Sequence, residues 1–267
     1  MFHNLAINSN TYHGFSLEQA IKGASKAGFK QIELAAVDHT PHLLADMTDT
    51  ELQAKKTLLE SYGMTCIGIG AHSNLLTDAG IENLLNSMKL ATYFNCTYLI
   101  TSTGEAHGDT DITHDEKLLI KNLEPVLHKC EELGLTLAIE THGTHFATGN
   151  SLKKLAQQLN NRFTINYDTA NVIFYGDVLP YDDLTTCIDR VAFIHLKDKL
   201  GKNKEWNFPA IGDGHLDFKR IFHVLESGNF NGPISVEIEF TPDDPKTLEE
   251  VNHAVERSFY YLKRLLE

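Results

Sequence analysis

The chain has 267 residues, 42% of them hydrophobic and 22% charged, with a formal net charge of −13. That length suits one large core in a single domain over residues 1–267. The acidic balance counts against a nucleic-acid partner and against an anionic membrane surface, since both need a basic face.

From the N-terminus onward, short β-type runs alternate with amphipathic helical stretches. The opening segment MFHNLAINSN has no charged leader and no long apolar run, so neither a signal segment nor a membrane span is expected. Strands are predicted at Leu5–Asn8, Gln31–Ala36, Thr65–Ala71, Tyr98–Ser102, Leu135–Thr141, Phe163–Thr169, Val191–Asp198 and Ile234–Glu239. Most are continuously apolar, as strands covered on both faces must be. Between them, Ser16–Gln19, Thr48–Glu51, Thr113–Glu116 and Thr247–Glu250 read as capping boxes that open helices. Gly28, Gly63 and Gly134 stand where helices should end. Leu119, Leu123, Val126, Leu127 and Cys130 share one helical face, and Pro125 among them is expected to bend that helix. Cys66, Cys96, Cys130 and Cys187 are widely spaced and read as reduced core thiols of a cytoplasmic protein. No strand is followed by G-x-G-x-x-G or a P-loop, which leaves a doubly wound sheet unsupported. The prediction is therefore an α/β fold, a single (β/α)8 TIM barrel, for which eight strands is the required number.

Four of the later strands carry a polar group inside an apolar run. Glu140 closes LAIE, Asp168 closes INYD, His195 follows AFI, and Glu237 follows SV. Charged side chains are rarely buried in strands unless they are paired or bind metal. Barrel enzymes place their chemistry at the C-terminal ends of strands, so these four should converge. A lone strand-end carboxylate is commonly a salt-bridge partner, but four such groups on successive strands mark a site. Two Glu, one Asp and one His suit a single divalent ion, Mn²⁺, Co²⁺, Mg²⁺ or Zn²⁺, with open positions left for a substrate.

The segments A-I-E-T-H (138–142), N-Y-D-T-A-N (166–171), I-H-L-K-D (194–198), I-G-D-G-H-L-D-F (211–218) and G-P-I-S-V-E (232–237) fall in order along the later strands and loops. With them the chain resembles, over essentially its whole length, the sugar phosphate isomerase/epimerase family of xylose-isomerase-like barrels, which includes an endonuclease IV branch. By that resemblance Glu140, Asp168, His195 and Glu237 match metal ligands, and Glu140 and Glu237 also match the pair that moves protons. The implied activity is isomerisation or epimerisation of a sugar, ketose or keto-polyol through an enediolate, on a small-molecule substrate. The alternatives are a dehydratase of a keto-polyol on the same barrel, or a barrel that binds a sugar without turning it over. The resemblance also implies a homo-oligomer.

Departures from the family pattern narrow the reading. Many relatives carry His three residues after the strand-six Asp, where this chain has Asn171. An amide suits a sugar hydroxyl better than a transition metal, so a multi-metal site is not expected. Trp206-Asn207-Phe208 stands where the endonuclease branch has Asp-x-His, which counts against DNA repair. His72, His142 and Trp206 join Asn171 as candidate substrate contacts, and His107 is a further candidate in the loop after strand four. Glu33 is expected either to reach the pocket or to pair with a lysine. Lys197 is expected to orient a carboxylate. Gly212 and Gly214 form a tight turn or a phosphate cradle.

Overall fold

Each predicted apolar run contains a parallel strand in the structure, a computed structural model that describes residues 5–37, 40, 42–104, 115–243, 245 and 247–267. The strands are β1 (Leu5–Asn8), β2 (Gln31–Ala35), β3 (Thr65–Gly70), β4 (Tyr98–Thr101), β5 (Thr136–Glu140), β6 (Thr164–Asp168), β7 (Val191–Leu196) and β8 (Ile234–Val236). They pair in sequence order, and β8 returns to β1, so the sheet is a closed eight-stranded barrel. Register steps between Ile32 and Glu33 and between Ile165 and Asn166 shift which residues face inward on β3 and β7.

The helices are α1 (Leu17–Ala27), α2 (Asp49–Ser61), α3 (Asp78–Phe94), α4 (Glu116–Leu133), α5 (Gly149–Gln158), α6 (Asn171–Phe174), α7 (Pro180–Cys187), α8 (Phe218–Ser227) and α9 (Leu248–Leu266). The capping boxes at Ser16, Thr48 and Thr247 form as expected. Thr113 lies outside the described residues; α4 is instead capped by Asp115, whose carboxylate accepts from the Leu118 N–H. That helix runs on through Pro125. Gly28 and Gly134 end α1 and α4 in the left-handed region.

Two apolar layers result from the period-two alternation of the strands. Outward residues join the helices in the main core. Inside the barrel, Ile100, Ala138 and Phe193 pack with Ile67 and Tyr98 as a separate plug. Phe193 and Ala138 each stand two residues before a predicted ligand, so the plug floors the polar site above it. Gly68 and Gly70 make room on β3. A Cβ on Gly68 would lie 2.7 Å from Ile100, and one on Gly70 would lie 3.0 Å from the Glu33 carboxylate.

All four cysteines are buried and unbridged. Burial pushes the Cys130 thiol up to about 12 and raises Cys66 and Cys187 as well. Among the described residues no helix is long and apolar enough to cross a membrane.

Candidate metal centre

β5, β6, β7 and β8 deliver Glu140, Asp168, His195 and Glu237 to one end of the barrel. One donor atom from each lies within 4.8 Å of the others, and all four residues are buried. His195 Nδ1 stands 3.3 Å from Glu140 Oε1 and 3.4 Å from Glu237 Oε2. Such separations match neighbouring donors around an ion with bonds of about 2.0–2.2 Å. The donor set therefore fits a single divalent cation.

Glu33 was expected at the pocket or beside a lysine, but it does neither. Its carboxylate is fully buried and takes the other ring nitrogen of His195, Nε2, at 2.9 Å. A hydrogen on Nε2 leaves the Nδ1 lone pair facing Glu140 and Glu237, the tautomer a metal ligand requires. Burial opposes charge on His195, but Glu33, Glu140 and Glu237 together hold the imidazole well above its usual range.

The two glutamates divide their oxygens. Glu140 Oε1 accepts from the Asn171 amide at 2.9 Å and faces His195, while Oε2 meets His72 Nε2 at 2.5 Å. Glu237 Oε2 faces His195 and the Lys197 ammonium, while Oε1 accepts from the Asn10 amide at 3.0 Å. Each thus turns one oxygen to the ligand cluster and holds the other with a residue that lines the cavity. Burial works against ionisation of both, but His195 and His72 keep Glu140 well below the usual carboxylate range, and Lys197 and His195 lower Glu237. Asp168 Oδ1 accepts the backbone N–H groups of Ala170 and Asn171, and Oδ2 lies 3.1 Å from Lys197 Nζ. Burial raises Asp168 to about 7 against the pull of Lys197.

Lys197 does more than orient one carboxylate. Its ammonium lies 3.1, 2.9 and 2.8 Å from Asp168, Glu237 and Glu239, and it donates a hydrogen bond to Glu239.

Above the cluster opens a cavity of about 330 Å³ whose lining includes Asn10, His72, His142, Asn171, Lys197 and Glu239. His142 and His72 line its wall, with Tyr175 Oη 3.1 Å from His142 Nε2. Asn171 lines the cavity too, but its amide is committed to Glu140: α6 begins just past the end of β6, and Asn171 reaches across to the neighbouring strand β5. Trp206 is not among the lining residues. It packs edge-on against Phe174 and Phe208, with ring centres 5.6 and 5.0 Å away. His107 lies outside the described residues.

The phosphate cradle imagined at Gly212 and Gly214 is filled from within. Asp198 Oδ2 accepts both of those N–H groups at 2.9 Å, and Oδ1 accepts those of Lys199 and Leu216 at 2.8 and 3.1 Å. Sequence reasoning also passed over Asn10, Tyr175 and Glu239. Glu239 carried a signal, since it repeats the phase of Glu237 two residues on. Asn10 and Tyr175 carried none: Asn10 reaches the cavity from a short 3-10 helix, and Tyr175, just past α6, touches it only through His142.

A closed parallel barrel with a buried carboxylate and imidazole cluster at the C-terminal ends of its strands defines a class of TIM barrel whose strand-end residues could hold a cation. The model of the xylose isomerase-like TIM barrel family matches residues 21–258, and this chain belongs to that family. Among curated relatives, the inosose dehydratase of Geobacillus kaustophilus is 29% identical over 177 residues, covering 55% of this chain and 57% of that protein. The inosose dehydratase of Clostridium tetani is 28% identical over 161 residues, covering 54% and 53%. The chain spans about half the length of the curated relatives it matches. Among solved structures, a xylose isomerase domain protein from Planctomyces limnophilus superposes with a TM-score of 0.78 at 18% identity, covering 98% of this chain and 96% of that one. A xylose isomerase-like barrel from Mycobacterium smegmatis, in complex with magnesium, gives 0.78 at 14% identity over 100% and 99%. A D-allulose 3-epimerase from Methylomonas sp., in complex with D-allulose, gives 0.75 at 16% over 98% and 96%. At these identities the likeness is one of fold.

Proposed function

We propose that this chain is a divalent-metal-dependent isomerase or epimerase of a sugar, ketose or keto-polyol. The observation that carries the reading is the pair Glu140 and Glu237. Both belong to the ligand cluster, and both keep a second oxygen at the cavity, held by His72 and Asn10 respectively. Glu140, Asp168, His195 and Glu237 would hold the ion, which when bound supplies the positive charge that stabilises an enediolate. One glutamate takes the proton from the carbon beside the carbonyl, and the other returns a proton to the far face or the neighbouring carbon. His72 and Asn10 orient the working oxygens. The apolar plug below excludes water from the cluster's floor.

A second reading is a dehydratase that forms the same enediolate and expels a β-hydroxyl. The curated relatives, which are inosose dehydratases, favour it. Product analysis separates the two.

The test is a panel of ketoses and keto-inositols with Mn²⁺-loaded protein, followed by NMR in D₂O. The expected result is exchange of one C–H proton, with an isomer, epimer or dehydrated ketone as product. Glu140→Gln and Glu237→Gln should each lower the exchange rate by about a hundredfold or more, since an amide cannot accept the proton. Metal content measured in each variant separates lost base from lost ion. Undiminished exchange in the metal-replete Glu237→Gln protein would refute that assignment.

A further inference from the structure

Past Val236, where β8 ends, the chain is pinned at three points. The Glu237 N–H donates to the Leu196 carbonyl at 3.1 Å, and the Ile238 N–H donates to Thr11 Oγ1 at 3.0 Å. Phe240 then exchanges two backbone hydrogen bonds with Phe208, at 2.9 and 2.8 Å. This last bridge ties the end of β8 to the loop after β7. Phe240 makes it at φ +58°, in the left-handed region. The other described non-glycine residues in that region are five Asn or Asp residues and Lys204. Asn and Asp tolerate such a backbone, whereas a bulky aromatic adopts it only where its surroundings hold it there. Strain of this kind gathers at functional sites.

The residue that this turn presents is Glu239. Among the described residues it is the only cavity-lining carboxylate outside the ligand cluster. Its Oε2 accepts from the Lys197 ammonium at 2.8 Å, and its Oε1 takes no hydrogen bond from the described residues. The Phe208 ring is fully buried, with its centre 5.4 Å from Lys197 Nζ. One bridge thus turns the chain beside Glu239 and backs the lysine that Glu239 meets.

We propose that Glu239 accepts a hydrogen bond from a substrate hydroxyl, and that the left-handed turn at Phe240 aims it. The inference rests on the functional reading above and adds to it a specificity-determining residue with its positioning residue. A carboxylate oxygen that faces the cavity favours a compound that donates to it, and an analogue lacking that hydroxyl leaves it unpaired.

The experiment takes the ketose or keto-inositol of the panel with the fastest deuterium exchange, together with its monodeoxy analogues, on Mn²⁺-loaded protein. One analogue should lose about tenfold or more in kcat/KM on the wild type, the effect of one lost buried hydrogen bond. Glu239→Ala should raise KM for the parent compound by a similar factor and should no longer distinguish it from that analogue. Discrimination among the analogues that survives in Glu239→Ala would overturn the contact, as would a fall in Mn²⁺ affinity that accounts for the whole loss. At position 240, KM should rise least in Phe240→Gly and Phe240→Asn, which accept a positive φ, and most in Phe240→Val, which does not. The Phe240 ring is half-buried against the main core, so a role confined to packing would give the reverse order, with Val the best replacement, and would overturn the positioning role. Absence of exchange from every compound would instead sink the proposed chemistry, whereas exchange whose KM ignores Glu239→Ala would overturn this inference alone.

Discussion

Glu33 shows how a side chain with no ligand role can set the quality of a site. Its carboxylate fixes the His195 tautomer from across the barrel, and Gly70 supplies the space it needs. Partners of metal-bound imidazoles typically govern affinity by about 10–100-fold. Glu33→Gln should therefore weaken Mn²⁺ binding by about tenfold or more, measured by calorimetric titration. An unchanged affinity would mean that His195 does not need this partner. The charge at position 33 was legible, because an ionised group in an apolar strand demands a partner. The partner itself was not. β2 and β7 are not neighbours in the sheet, so only a closed barrel brings positions 33 and 195 together.

Strand phase was the most legible element-level feature. Once eight runs were aligned, alternation put Glu140, Asp168, His195 and Glu237 on the inner face, and the structure places them there. β8 ends at Val236, so Glu237 lies one residue beyond it and keeps the strand's phase. The loops were less legible, because their geometry depends on side chains distant in sequence. Asp198 organises residues 212–216, and α6 turns Asn171 toward Glu140. Helix ends carry local signals, and the caps at Ser16, Thr48 and Thr247 were read well, whereas α4 takes Asp115 as its cap. α9 offers a clean test. Thr247 accepts from the Glu250 N–H, and Glu250 caps Thr247 in return. Thr247→Ala should cost about 1 kcal/mol, seen as a lower urea midpoint at unchanged slope. Mn²⁺ affinity should stay at the wild-type value, since the cap lies outside the ligand cluster.

At the scale of the molecule, the proposed metal site would link ion binding to folding. The ligand cluster joins four consecutive strands and exists only in the closed barrel. An ion that binds only the folded chain adds about 2.7 kcal/mol at a hundred times its dissociation constant. For a chain of this size that corresponds to a melting temperature higher by roughly 5 °C or more. Scans with Mn²⁺ and with EDTA should differ by that amount, and Glu237→Gln should shrink the difference. Equal melting temperatures at saturating Mn²⁺ would count against the ligand set. The seam between β1 and β8 has a further consequence, for biosynthesis. α9 packs on α1 there, with Phe259 against Phe29 at 5.0 Å, so the first elements of the barrel wait for its last. Glu237 comes with that final strand. A nascent chain on the ribosome thus lacks one donor until the ring can shut, so the proposed cation site is completed only at the moment the chain acquires its shape.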